Sequence, residues 1–335
     1  MPKRALRKPV EIEITLEQLQ SFGRQLGIKP GPLSPILTAD PGLPPEDISD
    51  PNLVSKRGEP FPHVVSAFHV LARPEIAAGL ICIAPGTILD ISIFSRYQNR
   101  EEHSVALYKG QHGLWLHSPA PKKRVLAMLH ESLNIEAPEE APVSLDAVTF
   151  TGEGWVLWSM MDLLYPIGKN GQEETEDAFT TKQILEKMAA PVEGLWNLAA
   201  YYRDGLELTV PKAETANRWC ADLTKQGFLE RSDTKKWKAS WLLKSVVRGM
   251  FPLRAHVHFK LAAQAPAGGL GSVRFWGLQG KSGNCLIWYA HPEQTQFLSA
   301  STGNLMDILQ RMIEHPEFVF GPGEPPDAPA GSQKA

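Results

Sequence analysis

Cysteine is scarce in this sequence. Cys82, Cys220 and Cys285 stand far apart and are odd in number, which argues against a disulfide framework and against a four-cysteine zinc site. They read as buried thiols of a reducing compartment, and a cytoplasmic protein is expected. Long hydrophobic runs are missing too, so no membrane-spanning segment is expected. The opening MPKRALRKPVEIEI is basic but has no apolar run behind it, and so does not read as a secretory signal. A large excess of one charge is absent: the net is −3 over 335 residues, which gives no general attraction to nucleic acid or to an anionic membrane. The catalytic signatures HExxH, GxSxG and CxxC do not occur, nor does a dinucleotide-binding glycine fingerprint. Gly268, Gly269 and Gly271 lack the Lys and Ser or Thr of a phosphate loop, and no helix follows them. No cofactor and no metal site is expected.

What the chain has is apolar and aromatic patterning. Its nine tryptophans and 43% hydrophobic residues can build two or three domains, or one large fused body. Near the C-terminus, VRFWGLQG, GNCLIWYA and TQFLS read as three strands, rich in β-branched and aromatic residues and broken by glycine and by His291–Pro292. A helix follows, with Thr302 as its expected cap and an apolar stripe through Leu305, Met306, Ile308, Leu309, Met312 and Ile313. A similar order occurs earlier. Leu89–Ser95, Ser104–Tyr108 and Leu114–His117 read as strands and Lys122–Leu133 as a helix. Ala78–Ala84 is answered by His256–Ala262, and the helix His63–Leu71 by Leu242–Met250. These correspondences suggest an internal duplication with a segment inserted between its halves.

At the N-terminus Val10–Ile14 reads as an edge strand. Thr15 then starts a helix with Gln18 completing a capping box, and Leu16, Leu19, Phe22 and Leu26 share one face. Lys29–Pro62 is rich in proline, glycine and acid, and should be irregular. WVLWSMMDLLY, Trp155–Tyr165, reads as a helix buried almost all round, with Asp162 breaking the side that carries Trp155 and Trp158. Thr181–Ala189, Val192–Arg203 and Lys212–Gln226 read as three helices. Phe228–Arg231 and Trp237–Trp241 then read as two strands around a basic turn. The pieces ANRWCADLTKQG, FLER and KKWKASW together resemble a winged-helix module over about a fifth of the chain.

The fold class expected is therefore α+β: two similar, mainly antiparallel sheet-plus-helix modules flanking a helical, winged-helix-like insert. The boundaries expected are an N-terminal module over 1–136 containing the Pro-rich loop 29–62, an insert over 137–241 with its winged-helix-like unit at 178–241, a C-terminal module over 242–320 and a disordered tail over 321–335. In overall layout, with the stretch HVLARPE ahead of the first strands and strands followed by a helix in each half, the chain resembles the EspG-type chaperones of bacterial type VII secretion. That resemblance implies two quasi-symmetric α+β halves and a cytoplasmic role in binding secreted protein pairs. No client-binding residue carries over from it.

Candidate functional residues are few. His256 and His258 point to one side of a strand, but no third ligand has metal-site spacing. His103, His112 and His117 surround one hairpin without a nucleophile, and Cys285 lies inside a strand rather than at a cleft facing His291. Charge is uneven along the chain: Glu131–Thr180 holds eleven acidic residues and one basic, whereas Pro211–Lys260 holds eleven basic and four acidic. Lys212, Arg218, Lys225, Arg231, Lys235, Lys236 and Lys238 are candidates for contacting nucleic acid through a winged helix. Trp276 and Trp288 are candidates for a protein contact if they are exposed, and core residues if they are not. The reading that follows is a non-enzymatic adaptor or chaperone-like protein whose partner is another protein. A winged-helix nucleic-acid binder or regulator comes second, and an enzyme of unrecognised type third.

Overall fold

The computed structural model describes residues 10–36, 51–98, 101–111, 113–133, 148–150, 152–169, 178–192, 197–233, 235–250, 252–264, 269–280, 283–290 and 295–316. The expectations for His112, His291, the linker 137–142 and the tail 321–335 lie outside these residues.

The fold is mixed α+β with two sheets. Its frame is one ten-stranded sheet made of β1 (Val10–Ile14), β2 (Ile76–Ala84), β3 (Thr87–Gln98), β4 (Glu101–Lys109), β5 (Leu114–Ser118), β6 (Val148–Phe150), β10 (Leu253–Gln264), β11 (Leu270–Gly280), β12 (Asn284–Ala290) and β13 (Thr295–Ser301). The spatial order is β1-β5-β4-β3-β2-β10-β11-β12-β13-β6, antiparallel throughout. The strands expected in the two halves of the chain thus join in one continuous sheet. The junction is the β2–β10 pair, centred on Leu80 opposite Phe259.

Alternation decides which residues meet which layer. On one face Ala78, Leu80 and Cys82 of β2 and Val257, Phe259 and Leu261 of β10 share a core with α3 (Lys122–Leu133) and α9 (Thr302–Glu314). The helix over Lys122–Leu133 therefore covers the face its apolar stripe predicts. Buried Gln279 ties the two helices together, its Nε2 donating to Leu133 O at 2.7 Å and to Thr302 Oγ1 at 2.9 Å. The cap of α9 is Ser301, not Thr302 as expected. Ser301 Oγ accepts from Asn304 N at 3.1 Å, and the Thr302 hydroxyl instead donates to Gly283 O at 2.8 Å. A hydroxyl residue next to a helix start can serve either purpose, and burial against Gly283 settles which.

The opposite face has two separate covers. Over β1, β3, β4 and β5 lie α1 (Leu16–Gln25) and α2 (Pro62–Ala72), where Phe22 meets Phe68 edge-on at 4.5 Å. The Thr15–Gln18 capping box forms as predicted, with bonds of 2.9 and 3.0 Å. Leu16 departs from the expected stripe and is 60% exposed. The described parts of the Pro-rich segment are irregular, as its composition predicts, yet Ile36, Leu53 and Val54 are buried in this same core and pin it down.

Over β11, β12, β13 and β6 lie α4 (Glu153–Lys169), α6 (Leu198–Leu206) and α8 (Trp241–Gly249), with α5 (Thr181–Ala189) and α7 (Ala213–Lys225) beyond. The run from Trp155 to Met161 is buried on every side, as its composition predicts. The second sheet stands here, three short strands ordered β7-β9-β8: β7 (Ala178–Thr180), β8 (Leu229–Arg231) and β9 (Lys236–Ala239). The helix expected over Val192–Arg203 is α6, which begins later, at Leu198. Trp241, expected at the end of a strand, is the first residue of α8 behind its N-cap Ser240.

Candidate functional site

Between the two covers, the second face is open toward the β2–β3 turn. Ile81, Ile83 and Ile88 stand there. Ile83 and Ile88 face each other across β2 and β3, and Ile81 is two residues along β2 on the same side. Ile88 is 72% exposed and Ile81 36%. The strip is rimmed by charge, with Lys109 paired to Asp90 at 3.8 Å on one side and Lys260 exposed on the other. Neighbouring exposed isoleucines on one side of a hairpin are unusual on a finished surface, because β-branched residues on a sheet normally pack under another layer.

Two cross-strand rows connect this strip to the core. One runs Asp90, Ile81, His258, Trp276, Trp288, Phe297, each the register partner of the next. Its rings stack in turn: His258 on Trp276 at 4.8 Å, Trp276 on Trp288 at 5.3 Å, and Trp158 of α4 over Trp288 at 3.8 Å. The other row runs Ile88, Ile83, His256, Leu278, Leu286. Tyr201 of α6 meets His256 edge-on at 4.4 Å. Gly205 allows the end of α6 to lie on Trp276, since a Cβ there would stand 2.4 Å from that indole, and Arg274 donates to the Gly205 carbonyl.

The two histidines are kept neutral by their surroundings. Burial pushes His256 down to about 3, with His258 acting in the same direction. His258 is pushed down to about 4 by burial, then by Arg274 and Lys260. Neither nitrogen of His256 has a hydrogen-bond partner among the described residues. No group of three His, Cys, Asp or Glu side chains among those residues converges as metal ligands. Cys82 and Cys220 are buried thiols pushed up to about 12, unsuited to nucleophilic chemistry. Cys285 is buried within β12, its Sγ 3.7 Å from Gly283 O. His117 packs edge-on against Tyr108 at 4.8 Å.

Asp162, the polar break of α4, has a structural task. Its two carboxylate oxygens accept from Leu198 N at 2.8 Å and Ala199 N at 2.9 Å, which caps α6. Burial pushes its carboxyl up from 3.8 to about 6, against the lowering effect of the Ala199 and Leu198 amides and of Lys187. A folded value above the unfolded one means that the folded state holds the proton more tightly. The contribution of Asp162 is therefore most favourable below about pH 4 and is lost as pH rises through about 6, by about 3 kcal/mol in all. Asp162→Asn is expected to remove this gain on acidification, so that stability falls more steeply between pH 7 and pH 4, by about 2–3 kcal/mol. Denaturant unfolding at pH 4 and pH 7 checks it, and an unchanged slope would count against it.

The sequence candidates scatter. Trp276 and Trp288 have no exposed surface and belong to the core, so the exposure that a direct protein contact requires is not met in this structure. Of the basic residues, Lys212, Arg218, Lys225, Arg231 and Lys235 are exposed, and Lys236 and Lys238 partly so. Arg218 and Lys225 are two turns apart on one side of α7, while Lys212 is its N-cap. Several have local partners. Lys225 pairs with Asp222 at 2.8 Å, Arg231 lies over the Trp237 ring at 4.6 Å, and Lys238 stands opposite Glu230. The amides of Lys235 and Lys236 bind Asp233 Oδ1 at 2.6 and 2.8 Å and shape the turn. The strip residues Ile81, Ile83 and Ile88 were not singled out from sequence. The alternation of β2 places apolar residues on both faces, which reads as an ordinary doubly buried strand.

No protein-family model matches the sequence, and no curated protein matches it. Among solved structures the chain is similar to the Mycobacterium tuberculosis type VII secretion system chaperone EspG5, solved in complex with the PE25–PPE41 dimer. Identity is 13%, the likeness covers 92% of this chain and 95% of that one, and the TM-score is 0.43. Among the described residues no helix is long and apolar enough to cross a membrane.

Proposed function

We propose that this protein is a non-catalytic, chaperone-like adaptor that holds another protein against the open strip of its large sheet. The observation that carries this is the exposure of Ile81 and Ile88, joined by half-buried Ile83, between two helical covers, with opposite charges at the rim to set orientation. The three free, buried cysteines support a reducing compartment such as the cytoplasm. The test is partner recovery from the native lysate, with nuclease treatment and at about 0.5 M salt, where exposed charge contacts are largely screened. The full chain is compared with Ile88→Asp. Because Ile88 is a surface residue, its substitution should change stability by no more than about 0.5 kcal/mol. A stoichiometric partner is expected with the parent chain and at least about tenfold less with the variant, since a charge in a desolvated contact is costly. Equal recovery by both would overturn the reading.

We also propose that the sheet arose by duplication. In its support, the order α2-β2-β3-β4-β5-α3 is repeated as α8-β10-β11-β12-β13-α9, and β1-α1 has a counterpart in β6-α4 at the other edge. On this reading 1–136 and 242–320 are the two modules and 137–241 holds the insert, although β6 of that stretch lends its strand to the sheet. The winged-helix reading is kept for the insert. The order β7-β9-β8 beside α5, α6 and α7, the three helices of the unit over 178–241, supports it. Nucleic-acid contact through Lys212, Arg218, Lys225, Arg231, Lys235, Lys236 and Lys238 is the second functional reading. Nucleic acid that co-purifies at low salt and leaves at high salt, with no protein partner, would favour it.

A further inference from the structure

A cleft of about 430 Å³ lies on the outer flank of α2, away from the open strip, where the helix passes the end of the β3–β4 hairpin. This volume is in the range of small-molecule sites. One wall is a single helical face: Val65, Ser66, His69 and Val70 recur at the spacing that stacks side chains on one side of a helix. The other wall is Arg96 and Gln98 of β3 with His103 of β4, and Arg96 and His103 are register partners. The polar groups are thus a guanidinium, two imidazoles, an amide and a hydroxyl, and none of the lining side chains is acidic. Arg96 is the one permanently charged group among them. A planar guanidinium presents paired N–H donors that match a carboxylate in two parallel bonds, and imidazole supplies a ring N–H in either protonation state. Half-buried Val65 offers an apolar surface beside the cationic end, with buried Val70 behind it.

We propose that this cleft is a binding site for a carboxylate attached to a small apolar body, with Arg96 holding the carboxylate, His69, His103 and Gln98 donating to it, and the apolar body lying on Val65. The carboxylate can come from a free organic acid or from the C-terminus of a peptide. The site is independent of the strip on the sheet, so its failure would leave the adaptor reading standing.

Calorimetric titration of the full chain tests this with four probes: benzoate, an N-acetylated hydrophobic dipeptide with a free C-terminus, the same dipeptide amidated, and inorganic phosphate. Saturable binding of benzoate or the free-terminus peptide is expected, with a Kd of about 0.1–1 mM. Arg96→Gln should weaken it about tenfold or more at an unchanged melting temperature. The first two probes distinguish a free acid from a peptide terminus, and the amidated peptide should not bind. His69→Asn, on the exposed helix flank, is the second variant should Arg96→Gln fold poorly, and it too should weaken binding. The proposal is overturned if neither carboxylate probe binds at about 10 mM, if the amidated peptide or phosphate binds as well as the carboxylates, or if the folded variants bind undiminished.

Discussion

Truncation of Trp288 to alanine is expected to cost about 3–5 kcal/mol of stability, enough to threaten folding in a chain held by a typical margin. Trp288 is fully buried at the centre of the aromatic row. Its ring lies 3.8 Å from Trp158, 5.3 Å from Trp276 and 6.2 Å from Phe297, so one deletion removes contacts from three neighbours on two layers. Each such pair adds about 0.5–1.5 kcal/mol beyond the area buried. The cavity cannot close easily, because strand register holds Trp276 and Phe297 in place and α4 holds Trp158. Trp241→Ala is the control, since that side chain is 76% exposed and its loss should change stability by no more than about 0.5 kcal/mol. Denaturant midpoints of the two variants decide the matter. A loss below about 1 kcal/mol for Trp288→Ala would mean that the row fills space without holding α4 to the sheet.

Acidification should destabilise the protein through His256 and His258. Both are held in the folded state well below the usual histidine value of 6.5, at about 3 and about 4. The unfolded chain therefore binds protons that the folded chain refuses. The stability they contribute is fully present above pH 6.5 and is lost as pH falls toward the folded values. At pH 5 each histidine has given up about 2 kcal/mol, or about 4 kcal/mol for the pair. Asp162 moves the other way and returns about 1.4 kcal/mol over the same interval, so the net loss at pH 5 is about 2–3 kcal/mol. Urea unfolding at pH 7, 6 and 5 measures the slope. His258→Asn should remove about half of the histidine part whatever its effect at neutral pH, because the slope counts protons and not contacts. An unchanged slope in the variants at both histidines would show that other groups govern acid unfolding.

The strip on the sheet and the cleft on α2 set different demands on sequence. A core reveals itself by local periodicity, since each strand or helix carries its own record of which side is dry. A binding surface formed where two covers stop short has no local record. Ile81 and Ile88 read like core residues because they have the same chemistry as Leu80 and Leu89, and only the position of α2 and α6 leaves them uncovered. The cleft joins His69 to Arg96 and His103 across long stretches of chain, and no spacing rule connects them.

The sequence by itself determined the α+β class, most strands and helices, the Thr15–Gln18 capping box, the all-round burial of Trp155–Met161 and the buried state of the three cysteines. These follow from periodicity, capping chemistry and residue polarity, which act within a few residues of one another. Only the tertiary structure decided that the strands of both halves share one sheet, that Asp162 caps a helix thirty-six residues away and that Trp276 and Trp288 lie within the core. Each of these depends on which layer arrives over which face. Many arrangements satisfy the same local patterns, and packing selects among them.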